Sequence, residues 1–202
     1  MLETLVLAGG ASTRMGRPKA ALPLPDGRTF LAAIVDTLLA AGLPHVTVVT
    51  GADDDAVRDA WRGDPAKVRF VVNARWAEGQ LTSILAGLDA VETSALEGVL
   101  MTLVDVPLVS AETVRAIVGA WRRTRAPIVR PARGDAHGHP VIFDRAVLDD
   151  LRRADPAEGA KPVVRRHAAA IVNVEVDDPG AFRDVDTPEA YAALFSRTPG
   201  PL

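Results

Sequence analysis

Two patterns of apolar residues alternate along this chain. Short and nearly continuous apolar runs are typical of strands buried on both faces. They occur at Leu5–Leu7, Val46–Thr50, Arg69–Asn73 and Val99–Val104. Between them, apolar residues recur at helical spacing on one stripe, as they do from Leu31 to Leu39. This alternation of strand and helix predicts an α/β fold with a mostly parallel sheet and right-handed crossovers.

The second half of the chain continues the pattern less regularly. Val99–Val104 is the most apolar run and is predicted to be the central strand. Further strands are predicted at Pro127–Arg130 and Ile171–Val176, with a polar, glycine-rich loop at Arg133–Pro140 between them. We assign residues 1–196 to one domain. Residues 197–202, which are rich in proline and glycine, are predicted to be a C-terminal tail.

The loop after the first strand carries unusual chemistry. Gly9 and Gly10 follow the strand at once, where the chain must turn or pass close to a ligand. Small and hydroxylated residues come next, and their backbone N–H groups can point at phosphate oxygens. Arg14, Arg17 and Lys19 add positive charge to the same loop. The segment therefore predicts a polyphosphate site, although a turn with a solvated basic rim is the simpler alternative.

Two known phosphate-binding motifs do not fit this loop. A dinucleotide fingerprint, G-x-G-x-x-G, fails because Ala11 and Arg14 stand where the second and third glycines belong. A Walker A loop fails because five residues separate Gly10 from Gly16, and Arg17-Pro18 follow. A hydride-transfer enzyme of the dinucleotide-binding class is accordingly disfavoured.

Composition narrows the function classes further. The 202 residues carry a net charge of −3, which argues against nonspecific nucleic-acid binding. There is no cysteine, so disulfides and thiolate metal sites are excluded. No apolar run approaches the length of a membrane span, and no secretory signal is visible. We expect a cytoplasmic protein that does not interact with membranes.

Three acidic residues lie where ligands are expected. Asp105 follows the most apolar strand and precedes a proline turn, at the edge where open α/β sheets bind ligands. Asp184 and Asp186 alternate before the last predicted helix, so an extended backbone would put them on one face. Carboxylates in such positions suit a hard divalent cation. Helix capping and solvated acids are the alternative interpretations.

The first loop, from Leu7 to Lys19, resembles the signature L-A-[AG]-G-x-S-x-R-M-G-x-P-K. This signature is typical of nucleotidyltransferases of the glycosyltransferase-A-like fold, and within them of the branch that activates molybdopterin. The resemblance implies a single-domain, three-layer α/β/α Rossmann-like fold. It implies that Arg14 and Lys19 contact phosphates and stabilise the charge that develops during transfer. It also implies a nucleotide site formed by Leu7, Ala8, Gly9, Gly10, Ser12, Thr13, Arg14 and Lys19.

Other segments resemble the same branch. Asn73–Ser83 is similar to N-P-x-W-x-x-G-x-x-x-S, with Ala74 in place of the proline. The resemblance implies that Asn73, Gln80 and Ser83 bind nucleotide, although Gln80 and Ser83 would also suit the start of a helix. Asp105 in D-x-P and Asp186 in D-[IV]-D-T-P are implied metal ligands for Mg²⁺, with Mn²⁺ as an alternative. The triplet that resembles the acceptor-binding G-H-P is Gly138, His139 and Pro140.

The acceptor side departs from the branch at one point. Glu158–Lys161 resembles a degraded G-D-x-G-A-R, with Ala157 where the acid is expected and Lys161 where the arginine is expected. The other histidine of this region, His137, does not make a metal site with His139, because no third ligand has suitable spacing.

Together these segments imply an enzyme that moves a nucleoside monophosphate from an NTP to a phosphorylated acceptor, with molybdopterin expected. A molybdoenzyme or its maturation chaperone is an implied partner. The alternatives are a sugar-1-phosphate nucleotidyltransferase and a non-catalytic nucleotide-binding regulator. Leu-Ala-Gly-Gly at Leu7–Gly10 resembles the guanylyltransferases, whereas Pro18-Lys19, Trp76–Ser83 and Gly138–Pro140 resemble the cytidylyltransferases. We therefore expect CTP to be preferred and GTP to be tolerated.

Overall fold

A mixed sheet runs through the molecule and carries the loops of interest at one edge. The computed structural model describes residues 1–195, so the predicted tail at 197–202 lies outside the described residues. Within residues 1–195 the sheet has eight strands. They are β1 (Leu2–Leu7), β2 (Val46–Thr50), β3 (Val68–Val72), β4 (Gly98–Leu103), β5 (Ile128–Arg133), β6 (Ala136–His137), β7 (Val141–Asp144) and β8 (Ile171–Glu175).

The strand order separates two halves of the sheet. The first half runs β3-β2-β1-β4 and is parallel throughout, with Leu5 of β1 beside Met101 of β4. The second half begins at β7, which pairs antiparallel with both β4 and β5. The outer neighbour of β5 is β8, and that pair is parallel again. The central position predicted for Val99–Val104 is confirmed, because β4 lies between β1 and β7.

Helices cover both faces of the sheet, as the fold prediction requires. Val6 and Val48 face one cluster with the helices Phe30–Ala40 and Ala111–Thr124. Leu5 and Leu7 face a second cluster with the helices Gln80–Val91 and Arg145–Arg153. This alternation follows from the two-residue period of a strand. The helices are α1 (Phe30–Ala40), α2 (Asp54–Asp59), α3 (Gln80–Val91), α4 (Ala111–Thr124), α5 (Arg145–Arg153), α6 (Lys161–Arg166) and α7 (Pro188–Phe195).

Polar caps fix where several helices begin. The Thr29 hydroxyl accepts from the Ala32 N–H at the start of α1, and the Ser110 hydroxyl accepts from the Thr113 N–H at the start of α4. The Thr187 hydroxyl accepts from the Ala190 N–H at the start of α7. Such caps satisfy backbone donors that have no partner within the helix. They hold the loops before α4 and α7 at the sheet edge that carries Asp105 and Asp186.

The prediction of a loop at Arg133–Pro140 was wrong in part, because Arg133 and Ala136–His137 belong to strands. β5 and β6 form a hairpin around Gly134, whose φ of +58° suits a residue without Cβ. β7 then continues along the same side of β5. The antiparallel strands are short and interrupted by Gly138–Pro140, so their sequence does not show a clean two-residue alternation. Within residues 1–195, every helix is too short or too polar to cross a bilayer.

Candidate active site

The first loop forms one wall of a cleft of about 300 Å³ at the carboxyl ends of β1 and β4. The Lys19 N–H donates to the Ser12 hydroxyl at 3.0 Å, and the Met15 N–H donates to the Ser12 carbonyl at 2.9 Å. These bonds fold the loop back on itself after Gly10. The cleft is lined by Leu7, Gly9, Gly10, Ser12, Thr13, Arg14, Lys19, Trp76, Gln80, Ser83, Leu103, Val104, Asp105 and Asp186.

Two carboxylates from distant parts of the chain meet in this cleft. Asp105 lies just after β4, and its carbonyl accepts from the Val185 N–H at 2.8 Å. That bond brings the neighbouring Asp186 to the same edge. The Lys19 ammonium bridges the pair, because its Nζ lies 3.0 Å from Asp105 Oδ2 and also contacts Asp186 Oδ1. Among the described residues, Asp184 is exposed and does not line the cleft.

The charged side chains in the cleft shift one another's pKa values. Burial lowers the pKa of Lys19, but the hydrogen bond to Asp186 and the charge of Asp105 together hold it above its usual value. Burial raises the pKa of Asp105, against the attraction of Lys19. The hydrogen bond from Lys19 lowers the pKa of Asp186. Arg14 adds a second cation at the mouth, with Nη1 4.0 Å from Asp186 Oδ2 and a side chain that is 71% exposed.

The carboxylate pair suits a divalent cation. Asp105 Oδ1 is buried and has no hydrogen-bond partner among residues 1–195, so this carboxylate keeps one unsatisfied oxygen. Across residues 1–195, no group of three or more acidic, histidine or cysteine side chains converges on a common point. Mg²⁺ is commonly held by one or two carboxylates together with substrate phosphates and water. Two carboxylates beside a phosphate loop fit that pattern.

The opposite wall of the cleft begins α3. Gln80 and Ser83 line it, and Ser83 is held by Asn73, whose Nδ2 donates to Ser83 Oγ at 3.0 Å. Asn73 also donates to Thr82 Oγ1 at 2.8 Å and is itself buried. Asn73 therefore does not line the cleft, because its amide positions the start of α3. Its predicted role in nucleotide binding stays a prediction.

Other residues of the wall differ from the predicted set. Ala8 does not line the cleft, because its side chain is buried and its N–H donates to the Val49 carbonyl. Its predicted place in the nucleotide site stays a prediction. Trp76, Leu103 and Val104 line the cleft without having been predicted as site residues. The signal for Trp76 was present in the N-P-x-W resemblance. Leu103 and Val104 look like ordinary strand residues in the sequence.

Gly9 is packed tightly against its neighbours. A Cβ added there would lie 3.1 Å from Ser83 Oγ and 3.3 Å from the Thr50 carbonyl oxygen. The space that a methyl group would take at Gly9 is therefore bounded by Ser83. A side chain at this position would act on the cleft through Ser83.

A second cavity of about 400 Å³ adjoins the cleft, and Gln80 lines both. His139 lines the second cavity, together with Met101, Ile128, Val141 and Phe143 on its apolar floor. Burial lowers the pKa of His139 despite the nearby charge of Asp105, and its Nδ1 has no hydrogen-bond partner in the part of the chain that the structure describes. The rim carries Glu158 and three cations, Arg130, Lys161 and Arg165.

The predicted acceptor triplet is only partly exposed to this cavity. Gly138 packs against Ala181, and a Cβ there would lie 2.2 Å from the Ala181 carbonyl oxygen. The His139 N–H donates to the same oxygen at 2.8 Å. Gly138 and Pro140 do not line this cavity, and their predicted contact with the acceptor stays a prediction. The three rim cations form no ion pair with any residue that the structure describes.

Comparison with known families identifies this architecture. Residues 4–171 match the model of the MobA-like NTP transferase domain. This chain belongs to the MobA-like NTP transferase family. The fold expected for this chain is confirmed by its similarity to the crystal structure of Rv0371c from Mycobacterium tuberculosis. The TM-score is 0.81 at 29% identity, and 97% of each chain is covered. A structure of Rv0371c in complex with manganese gives a TM-score of 0.76 at 28% identity, covering 97% of this chain and 98% of that one.

Named relatives of this MobA-like protein differ in the chemistry assigned to them. Nicotine blue oxidoreductase of Paenarthrobacter nicotinovorans is 32% identical, with 95% of each chain covered. Molybdenum cofactor guanylyltransferase of Rhodopseudomonas palustris is 31% identical, with 93% of this chain and 88% of the relative covered. Molybdenum cofactor cytidylyltransferase of Escherichia coli is 24% identical, with 97% and 96% covered. The family supports nucleotidyl transfer and leaves the nucleotide and the acceptor open.

Proposed function

We propose that this MobA-like protein transfers a nucleoside monophosphate from CTP, and less efficiently from GTP, to a phosphorylated acceptor of the molybdopterin type. The observation that carries the proposal is one cleft in which the glycine loop, Arg14, Lys19, Asp105 and Asp186 converge. Positioning and charge neutralisation are what such a transfer mainly requires of a protein. We also propose that the reaction takes place in the cytoplasm and serves a molybdoenzyme or its maturation chaperone.

The two walls of the cleft suit the two ends of a nucleotide. Backbone N–H groups between Gly10 and Thr13, with Arg14 at the mouth, suit the triphosphate. Gln80 and Ser83 at the start of α3 suit the base or the ribose, and Asn73 keeps Ser83 in place. Asp105 and Asp186 would hold a divalent cation, which would neutralise the triphosphate and the departing pyrophosphate.

The second cavity supports a flat, anionic acceptor. Its apolar floor can cover an unsaturated ring system. Its rim cations Arg130, Lys161 and Arg165, which have no ion pair within residues 1–195, favour negative charge. Gln80 marks the passage between the two cavities, where the acceptor phosphate would meet the α-phosphorus. An oxygen of that phosphate forms the new bond to the α-phosphorus, and the bond to the β-phosphate oxygen breaks. Pyrophosphate is the leaving group, so no covalent enzyme intermediate is required.

Pyrophosphate release measured with purified protein tests the proposal. CTP and GTP are each offered with Mg²⁺, with and without molybdopterin, and glucose-1-phosphate replaces molybdopterin in a separate arm. Release that depends on molybdopterin and is fastest with CTP supports the proposal. Release with glucose-1-phosphate alone would favour a sugar-1-phosphate nucleotidyltransferase. Nucleotide binding without release in any arm would favour a non-catalytic regulator.

An oxidoreductase is a second candidate, and the 32% identical relative named nicotine blue oxidoreductase favours it. A phosphate loop and a flat apolar cavity would also suit a dinucleotide and a dye. The carboxylate pair weighs against this function, because hydride transfer needs no site for a divalent cation. Oxidation of NADH or NADPH in the presence of a quinonoid dye, monitored as the loss of absorbance at 340 nm, separates the two functions. Dye-dependent oxidation would favour the oxidoreductase, and its absence would favour nucleotidyl transfer.

A further inference from the structure

Lys19 makes contacts that its expected role as a phosphate ligand does not explain. Its Nζ lies 3.0 Å from Asp105 Oδ2 and contacts Asp186 Oδ1, so it occupies the space between the two proposed metal ligands. Its side chain is only 16% exposed. Asp105 Oδ1 is buried, and no described residue donates a hydrogen bond to it. The ammonium therefore supplies one positive charge to a site whose oxygens suit a doubly charged cation.

We propose that Lys19 is an internal counterion, which leaves Asp105 and Asp186 when a divalent cation binds and only then reaches the triphosphate. The proposal rests on the metal site of the proposed function. The ammonium and a divalent cation would compete for the same carboxylate oxygens, and their like charges repel at such a distance. Lys19 therefore has two successive positions, of which the carboxylate-bound one is the position in this structure.

Local geometry allows the side chain to move while the backbone stays in place. The Lys19 N–H is bound to Ser12 Oγ at 3.0 Å, and its carbonyl accepts from the Leu22 N–H at 3.0 Å. The next residue, Ala20, is buried. The cleft beside Lys19 is lined by Gly10, Ser12 and Thr13, where triphosphate oxygens are expected. Rotation of the long side chain is sufficient to exchange one set of oxygens for the other.

The exchange couples two binding events. In the free protein a divalent cation must break both ion pairs of Lys19, and the released ammonium has no anionic partner. With a triphosphate present, the ammonium gains phosphate oxygens as replacement partners. Each ligand should then strengthen the binding of the other by the same factor, because coupling free energies are reciprocal. Metal alone should bind weakly.

Mn²⁺ binding to the nucleotide-free protein, measured by the loss of the free-ion EPR signal, tests this inference. Lys19→Met keeps the length of the side chain and removes its charge, and it should bind Mn²⁺ about tenfold more tightly than the wild type. Arg17→Met removes a charge from the same loop, but Arg17 is exposed and has no carboxylate contact in the described structure. This control should bind Mn²⁺ within about twofold of the wild type.

The outcomes separate the exchange from the metal site itself. Equal or weaker binding by folded Lys19→Met overturns the exchange, whereas Asp105→Asn should still abolish binding. If neither the wild type nor Lys19→Met binds Mn²⁺, both the metal site and the exchange are overturned.

A second measurement needs no substitution. The sequence contains only three lysines, Lys19, Lys67 and Lys161, so ¹³Cε-labelled lysine should give an interpretable NMR spectrum. Mg²⁺ alone should shift and sharpen the Lys19 signal, because its ion pairs are released, and leave the other two unchanged. A Lys19 signal that does not move at saturating Mg²⁺ would overturn the exchange.

Discussion

Gly9→Ala should change base preference through Ser83. The added methyl group would lie 3.1 Å from Ser83 Oγ and 3.3 Å from the Thr50 carbonyl oxygen, so one of them must move by a few tenths of an ångström. Thr50 is in β2 and cannot move freely, whereas Ser83 has a hydroxyl held by a single hydrogen bond from Asn73. We therefore expect Ser83 to yield. Overpacking of this kind should lower the free energy of unfolding by about 1–2 kcal/mol.

The displaced Ser83 narrows the base side of the cleft. A purine is larger than a pyrimidine, so kcat/KM should fall more for GTP than for CTP. A methyl-sized change in a pocket is worth ~1–3 kcal/mol of discrimination, so kcat/KM for GTP should fall about 10- to 100-fold relative to CTP. The assay is steady-state pyrophosphate release with each nucleotide and molybdopterin, alongside urea unfolding.

Two variants make the interpretation specific. A Cβ at Gly10 would meet nothing within 4 Å, so Gly10→Ala should unfold like the wild type. Ser83→Ala removes the oxygen that the methyl group meets, so it should restore much of the stability that Gly9→Ala loses. An equal fall in kcat/KM for CTP and GTP in Gly9→Ala would refute the inference that Ser83 narrows the base side of the cleft. A wild-type kcat/KM that is higher for GTP than for CTP would refute the proposed preference itself.

Three other predictions follow from the site and its supports. Asp105→Asn and Asp186→Asn should each nearly abolish Mg²⁺-dependent turnover while thermal unfolding remains cooperative, and near-normal turnover would remove that residue from the metal site. Asn73→Ala should cost ~2–3 kcal/mol in urea unfolding, because two buried hydroxyls lose a donor, and it should raise KM for the nucleotide more than it lowers kcat. The hydrogen bond with His167 lowers the pKa of Asp150 to about 2. This contact therefore stabilises the fold above the ordinary carboxyl pKa, and its contribution to stability is lost as pH falls from about 4 towards 2. Asp150→Asn should therefore flatten the acid limb of a plot of stability against pH, and an unchanged acid limb would contradict this.

The parallel half of the fold could be predicted because each strand is a separate apolar run. β1, β2 and β4 are buried on both faces, and helices with clear apolar stripes follow β1 and β4. The hairpin could not be predicted in the same way. β6 contains only Ala136–His137, both exposed, and pairs through backbone groups that carry no side-chain signal. Its position is set by pairing with β5 rather than by local preference.

The same division applies to the site. Sequence analysis could predict Gly10, Arg14, Lys19 and Asp105 as neighbours because ligands bind at the carboxyl ends of parallel strands. It could not predict that Lys19 bridges two acids 86 and 167 positions away in the chain. That contact depends on the Val185 backbone bond, which only the folded chain reveals. Nor could it predict that the Asn73 amide donates to the Thr82 and Ser83 hydroxyls of α3, because such buried contacts leave no periodic pattern in the sequence.

The antiparallel strand β7 has a consequence for how this family can change its substrates. Because β7 runs against β4, its first residue, Val141, lies beside Met101, so the preceding His139 reaches the same edge as the nucleotide cleft. Under the proposed function, the parallel strands would carry the donor side, and the hairpin would carry the acceptor side. A new acceptor chemistry could then be grafted by exchanging the hairpin and α6 while β1–β4 stay intact. Asp186 is the exception, since it returns from the second half to contact Lys19 in the proposed cation site and would have to be kept in any such exchange.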